Sequence, residues 1–122
     1  MGIRKKQTEF FQMLAKLIMK SIELETPIAP LEWKRDIETQ RKYVARGVSK
    51  TMNSRHLDGL AMDFVFLEDL EDDGKMNYSP EKYKVLGEFW ESLGGVWGGR
   101  FGDNPNTEKI EGWDSGHFQY EK

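Results

Sequence analysis

The sequence predicts an α+β domain in which a small antiparallel sheet packs against helices. Three observations carry this expectation. The elements read helix, strand, helix, strand, helix, strand along the chain; 122 residues suffice for one hydrophobic core; and the absence of cysteine leaves that core without disulfide support. A single domain over residues 1–122 is expected.

Residues 5–20 place Phe10, Leu14, Leu17 and Ile18 at helical spacing, with Phe11 and Met13 alongside, and predict an amphipathic helix. Glu25-Thr26-Pro27 ends it, because a proline disfavours helix in the residue before it. The stretch from Ile28 to Lys34 alternates, and Pro30 restricts it to an edge or leading position in a sheet. Asp36 reads as the N-cap of a helix from Ile37 to Ala45 that Gly47 terminates. A polar, turn-rich segment closes on Asp58-Gly59. From there Leu60 to Phe66 alternates with period two: Leu60, Met62, Phe64 and Phe66 share one face, and Ala61, Asp63 and Val65 the other. Glu68 to Tyr78 reads as an acidic loop. Ser79 as N-cap and Pro80 at the first helical position open the next helix. Its buried stripe is Tyr83, Leu86, Phe89, Trp90 and Leu93, and Gly94-Gly95 stops it. A glycine-rich segment then leads to a last short strand, Gly116 to Tyr120.

Charge is unevenly distributed. Residues 1–50 carry 11 basic and 6 acidic side chains, and residues 51–122 carry 7 and 15. The first part could attract a polyanion, nucleic acid included, but its longest basic cluster is Arg4-Lys5-Lys6, and a solvated helix face explains it as well. The apolar stretch Phe10 to Met19 is broken by Gln12 and Lys16, so neither a membrane span nor a signal-peptide core is expected. The acidic run Glu68 to Gly74 lacks the spacing of a calcium loop and reads as solvated.

Without cysteine, thiol nucleophiles and Cys-type zinc sites are excluded. Any catalytic metal must use histidine and carboxylate, and only His56 and His117 exist. Asp63 is conspicuous inside an apolar strand, where an unpaired carboxylate would cost several kcal/mol. The Asp58-Gly59 turn can fold His56 back over it. His117 sits on another strand, with Asp114 three residues before it. Two histidines and a carboxylate form a catalytic zinc set with one position open, leaving Asp114 for proton transfer. Singly, each residue has an ordinary structural reading: a hydrogen-bonded histidine, or a turn-forming aspartate. Trp90 reads as core, whereas Trp97 and Trp113, flanked by glycine and site residues, read as walls of a substrate pocket.

Ser54-Arg55-His56-Leu57-Asp58-Gly59-Leu60-Ala61-Met62-Asp63 fits the pattern S-x-H-x-x-G-x-A-x-D at every fixed position, and Asp114-Ser115-Gly116-His117-Phe118 resembles a closing D/E-x-x-H-F segment. In this the chain resembles the zinc D-alanyl-D-alanine carboxypeptidase and L-alanyl-D-glutamate endopeptidase family, which includes VanY- and VanX-like enzymes and phage endolysins. Arg35 to Gln40 resembles that family's R-T-x-x-x-Q, with Asp36 where threonine is usual, and Gly95-Val96-Trp97-Gly98-Gly99 resembles its W-G-G run. The likeness extends over roughly residues 28–120, and it is closer to the endopeptidase branch than to the dipeptidases.

The resemblance implies a Hedgehog/DD-peptidase-like zinc peptidase fold. It implies one Zn2+ on His56, Asp63 and His117, Asp114 as catalytic acid/base, and Arg35 contacting substrate or steadying the oxyanion. Gln40 and Ser54 support the site. The implied substrate is a bacterial peptidoglycan stem peptide, cut most readily at L-Ala–D-Glu by a phage or prophage endolysin. A D-Ala–D-Ala carboxypeptidase and a non-catalytic zinc-containing module of the same fold are the alternatives. A monomer is expected, without nucleic-acid partner or membrane insertion, made in a host cytoplasm and reaching the wall with holin help.

Overall fold

The computed structural model describes residues 2–47, 54–101 and 114–121. The first helix, α1 (Ile3–Glu23), buries Phe10, Leu14, Leu17 and Ser21, one stripe at spacings of four and three. It runs a turn beyond the apolar pattern that predicts it. Its end is a Schellman motif: Glu25 N–H donates to the Ile22 carbonyl and Thr26 N–H to that of Ser21. Glu25 therefore takes the left-handed conformation, φ 60°, at a position where glycine is usual.

β1 (Ile28–Glu32), α2 (Ile37–Ala45) and β2 (Ala61–Phe66) follow. The Asp36 side chain accepts from Thr39 N–H at 2.7 Å and caps α2 as expected. Residues 68–71, the start of the expected acidic loop, instead belong to the short helix α3 (Leu67–Glu71). Lys82 explains the difference: its ammonium bridges Glu68 at 2.9 Å and Asp69 at 2.8 Å, which neutralises part of the acidic run locally. α4 (Pro80–Ser92) starts at the expected proline, but the Ser79 side chain makes no capping bond. β3 (Val96–Trp97), a 3-10 turn at Gly98–Arg100 and β4 (His117–Gln119) complete the described elements. β3 was not legible in the glycine-rich run, because two residues are too few to show alternation.

The strands form one antiparallel sheet in the order β1-β2-β4-β3. Pro30 lies on β1, at the sheet edge, where its missing N–H costs no ladder bond. One sheet face carries Phe64, Phe66 and Phe118 against α1 and α4. Trp90 stands edge-on to both Phe10 and Phe118 with centroids 5.8 and 5.9 Å away, and Tyr83 packs on Phe66 at 4.6 Å. The other face carries Asp63 and His117. Among the described residues no helix is long and apolar enough to cross a membrane.

Gly87 lies inside α4, where alanine is ordinarily favoured by up to about 1 kcal/mol. A Cβ there would sit 2.1 Å from the buried Trp97 indole. Gly87→Ala is therefore expected to lower stability by about 1–3 kcal/mol, because overpacking outweighs the propensity gain. Glu25→Gly should act in the opposite sense and raise stability by roughly 0.5–1 kcal/mol through relief of the left-handed backbone. Urea unfolding midpoints of the two variants check both signs.

Candidate metal centre

Sheet register does the first part of assembling the site. Asp63 of β2 is directly opposite His117 of β4, and in an antiparallel pair opposite residues project their side chains on the same face. On the other side Glu32 of β1 also pairs with Asp63, after a register shift between Pro30 and Glu32. A row of Glu32, Asp63 and His117 thus crosses one face of the sheet.

His56 reaches this row from the turn before β2. Ser54 Oγ accepts from His56 N–H at 3.2 Å, and Gly59 N–H donates to the His56 carbonyl at 3.3 Å. Gly59 has φ 69°, and a Cβ on it would press against Gln7 at 2.8 Å and Trp33 at 3.1 Å. Glycine is required there for both conformation and space. The result is two imidazoles with ring centres 5.0 Å apart on either side of one carboxylate. His56 Nε2 lies 3.2 Å from Asp63 Oδ2, and His117 Nδ1 lies 3.1 Å from Asp63 Oδ1. Ligand atoms of His56, Asp63 and His117 all fall within 4.8 Å of one another, and among the described residues this is the one such cluster.

The donor set fits a borderline-soft divalent ion such as zinc. His56 gives the most direct test of that fit. Its Nδ1 is 2.6 Å from the Trp33 carbonyl oxygen. A carbonyl only accepts, so Nδ1 carries the proton and Nε2 turns a lone pair toward Asp63. In the neutral ring, lone pair faces carboxylate at 3.2 Å. A proton or a cation must lie between them, and the Trp33 contact is the orienting bond usual for a metal-ligating histidine.

Protonation follows the same balance. Burial, the largest influence, would raise the Asp63 carboxyl, but hydrogen bonds from His117 and His56 and their charges together hold it well below the usual carboxylate range. Burial opposes charge on His117 too, yet its bond to Asp63 and the charges of Asp114 and Asp63 raise it above an ordinary imidazole.

Asp114 stands at the rim. Its Oδ2 is 3.6 Å from His117 Nδ1, and its side chain is 37% exposed. Partial burial, and next to it the Asp63 charge, push Asp114 above the ordinary carboxylate range, against the opposing charges of His117, His56 and Arg35. A cavity of about 230 Å³ opens beside it, lined by Leu31, Asp63, Phe64, Tyr78, Ser115 and Gly116 as well as Asp114. The half-exposed Tyr78 has no signature in the sequence, because a single aromatic after an acidic stretch carries no pattern.

Arg35 is held rather than free. Its guanidinium donates to Glu32 Oε1 through Nε at 2.6 Å and through Nη2, and to Gln40 Oε1 through Nη1 at 2.6 Å. Tyr43 stacks under it with the ring centroid 4.6 Å from Cζ, and donates its hydroxyl to Glu32 Oε2 at 3.0 Å. Gln40 is completely buried in this arrangement. Trp97 is corrected from the sequence reading: it is fully buried and offers no wall to a substrate pocket. Its Nε1 donates instead to the Ser115 carbonyl at 2.7 Å, behind the site. Trp113 lies outside the described residues.

Fold and site together define a small α+β protein with a candidate mononuclear metal centre of two histidines and one aspartate. The chain belongs to the D-alanyl-D-alanine carboxypeptidase family, whose model matches residues 47–120. Among solved structures it is similar to the L-Ala D-Glu endopeptidase ChiX of Serratia marcescens, at 29% identity and a TM-score of 0.52 over 77% of this chain. The match spans 66% of the ChiX chain. A comparison with curated proteins finds no match.

The opposed shifts at Asp63 and His117 make the metal-free site sensitive to pH. The lowered Asp63 stabilises the fold above its unfolded value and loses this contribution as pH falls through the folded one; the raised His117 contributes below its unfolded value and loses it as pH rises through the folded one. The metal-free protein is therefore expected to be most stable from about pH 4 to 6.5 and to weaken toward pH 8. Zinc should reverse the trend, since ligation needs neutral imidazole. Thermal midpoints in chelator and in zinc across this range test it, and a chelated midpoint that rises toward pH 8 would contradict it.

Proposed function

We propose that this chain is a zinc-dependent peptidase that hydrolyses the L-Ala–D-Glu bond of peptidoglycan stem peptides, acting as a phage or prophage endolysin. The observation that carries the reading is the placement of Asp114: a carboxylate beside but outside the His-Asp-His cluster, at the mouth of a cavity. That is the environment a proton-transfer group needs. Similarity to ChiX, itself an L-Ala D-Glu endopeptidase, supports the choice of bond, and the likeness of the motifs to the endopeptidase branch supports the endolysin setting.

In this reading His56, through Nε2, Asp63 and His117, through Nδ1, would hold the ion. When bound, zinc supplies a Lewis acid that acidifies water and polarises a carbonyl oxygen. Asp114 accepts a proton from the attacking water at its carboxylate and returns it to the nitrogen of the leaving amine. Arg35, its guanidinium fixed by Glu32 and Gln40, supplies positive potential close enough to act on Asp114 and offsets negative charge developing on the substrate. Ser54 keeps the turn that aims His56. Leu31, Tyr78 and Ser115 enclose room beside the scissile bond for a small side chain.

The family's own description favours a second reading, D-Ala–D-Ala carboxypeptidase. Product masses from purified peptidoglycan separate the two: release of peptides beginning with D-Glu supports the endopeptidase, and release of free D-alanine from pentapeptides supports the carboxypeptidase. Asp114→Ala is expected to retain zinc by elemental analysis while turnover falls by about 10²–10⁴-fold, whereas His56→Ala should lose both. Near-normal turnover in Asp114→Ala would remove its assigned role, and no cleavage by the zinc-loaded wild type would leave only a non-catalytic module.

A further inference from the structure

His117 makes a second hydrogen bond, on the far side of its ring. Its Nε2 lies 2.7 Å from Gln119 Oε1, while Nδ1 faces Asp63 at 3.1 Å. The direction of this bond follows from the next one outward, because Gln119 Nε2 donates to the Glu121 carbonyl at 2.8 Å. With its NH2 turned to Glu121, the amide presents its oxygen to His117. An amide oxygen only accepts, so whenever the His117 ring is neutral, as metal ligation requires, Nε2 carries its proton and Nδ1 the lone pair. Both residues are buried, at 5% and 9% exposure, which leaves little water to compete.

Gln119 is itself rigidly placed. It lies in β4, paired with Ala61 of β2 and Val96 of β3, and its carbonyl accepts from Trp90 Nε1 at 2.9 Å. Strand alternation puts its side chain on the face of His117, two residues earlier. His56 receives the corresponding service from the Trp33 carbonyl, which selects the opposite tautomer.

We propose that Gln119 is a positioning residue that selects the Nε2–H tautomer of His117 and so makes Nδ1 the metal-binding atom. The inference rests on the metal-centre reading and adds a residue to it. An amide accepts this hydrogen bond without adding a further negative charge beside Asp63 and Asp114. A methionine would fill similar space and accept only weakly; a glutamate would preserve the acceptor.

The test combines zinc affinity, by chelator competition, with long-range proton–nitrogen NMR of the histidine rings in the zinc-loaded protein. The wild type is expected to show His117 protonated at Nε2 and metal-bound at Nδ1. Gln119→Met should bind zinc about 10–100-fold more weakly, with mixed His117 tautomers in its metal-free form above the imidazole titration. Gln119→Glu should restore both the tautomer and the affinity. Unchanged affinity in a folded Gln119→Met, or equal loss in Gln119→Glu, would overturn the proposal. Should Gln119→Met not fold, the wild-type spectrum decides alone, and zinc bound through Nε2 overturns it. A wild type that binds no zinc would defeat the metal-centre reading as well, whereas the other adverse results defeat only the role of Gln119.

Discussion

An ionised carboxylate in the middle of a sheet is the constraint on which the rest of the structure depends. Asp63 interrupts an otherwise apolar strand, and its charge can remain there only if positive charge or donors reach both of its oxygens. Two imidazoles face them, one from the facing strand and one from the preceding turn, and a proton or a cation between each ring and the carboxylate completes the balance. Each in turn needs its outer nitrogen satisfied, by the Trp33 carbonyl for His56 and by the Gln119 amide for His117. The demand of one partly buried charge thus extends outward into several elements.

The apolar face of the sheet holds this polar face in place. Three large aromatic side chains in the core direct their polar tips at the backbone of site-bearing segments. Tyr83 donates to the Phe64 carbonyl at 3.2 Å, Trp90 to that of Gln119 at 2.9 Å, and Trp97 to that of Ser115 at 2.7 Å. Each is a buried hydrogen bond whose loss would leave a desolvated group unpaired. Trp97 can occupy its position because Gly87 and Gly99 offer no Cβ to collide with its indole. Gly98 clears the other side, where a Cβ would lie 2.0 Å from the Asp114 carbonyl oxygen and 2.8 Å from His117 Cβ. The glycines around Trp97 are therefore part of how Asp114 and His117 are positioned.

Arg35 belongs to a second electrostatic unit at the sheet edge. Glu32, brought opposite Asp63 by the irregularity in β1, accepts from both Arg35 and Tyr43. The guanidinium is consequently fixed in direction, which lowers the ordering cost of any further contact it makes. Its backbone contributes as well: Arg35 N–H donates to the His56 carbonyl at 2.9 Å, which links the two units directly.

Much of this was legible in residue order. Period-two alternation disclosed β2 and the anomaly of Asp63, helical spacing disclosed the stripes of α1 and α4, Asp36 disclosed a cap, and the scarcity of histidine pointed both of them to one centre. Those signals are local, and they survive in sequence because local backbone geometry sets their period. Other features depend on contacts that sequence separation conceals. The acidic run became a helix through Lys82, Trp97 moved from expected pocket wall to core through space left by distant glycines, and Tyr78 and Gln119 gained their places from the ends of other strands. By itself the sequence determined which side chains could hold a metal and which face of β2 would carry the charge. Only the tertiary structure decided which nitrogen of each imidazole faces Asp63, because that choice is made by hydrogen-bond acceptors on the far side of each ring, one of them 23 residues away along the chain.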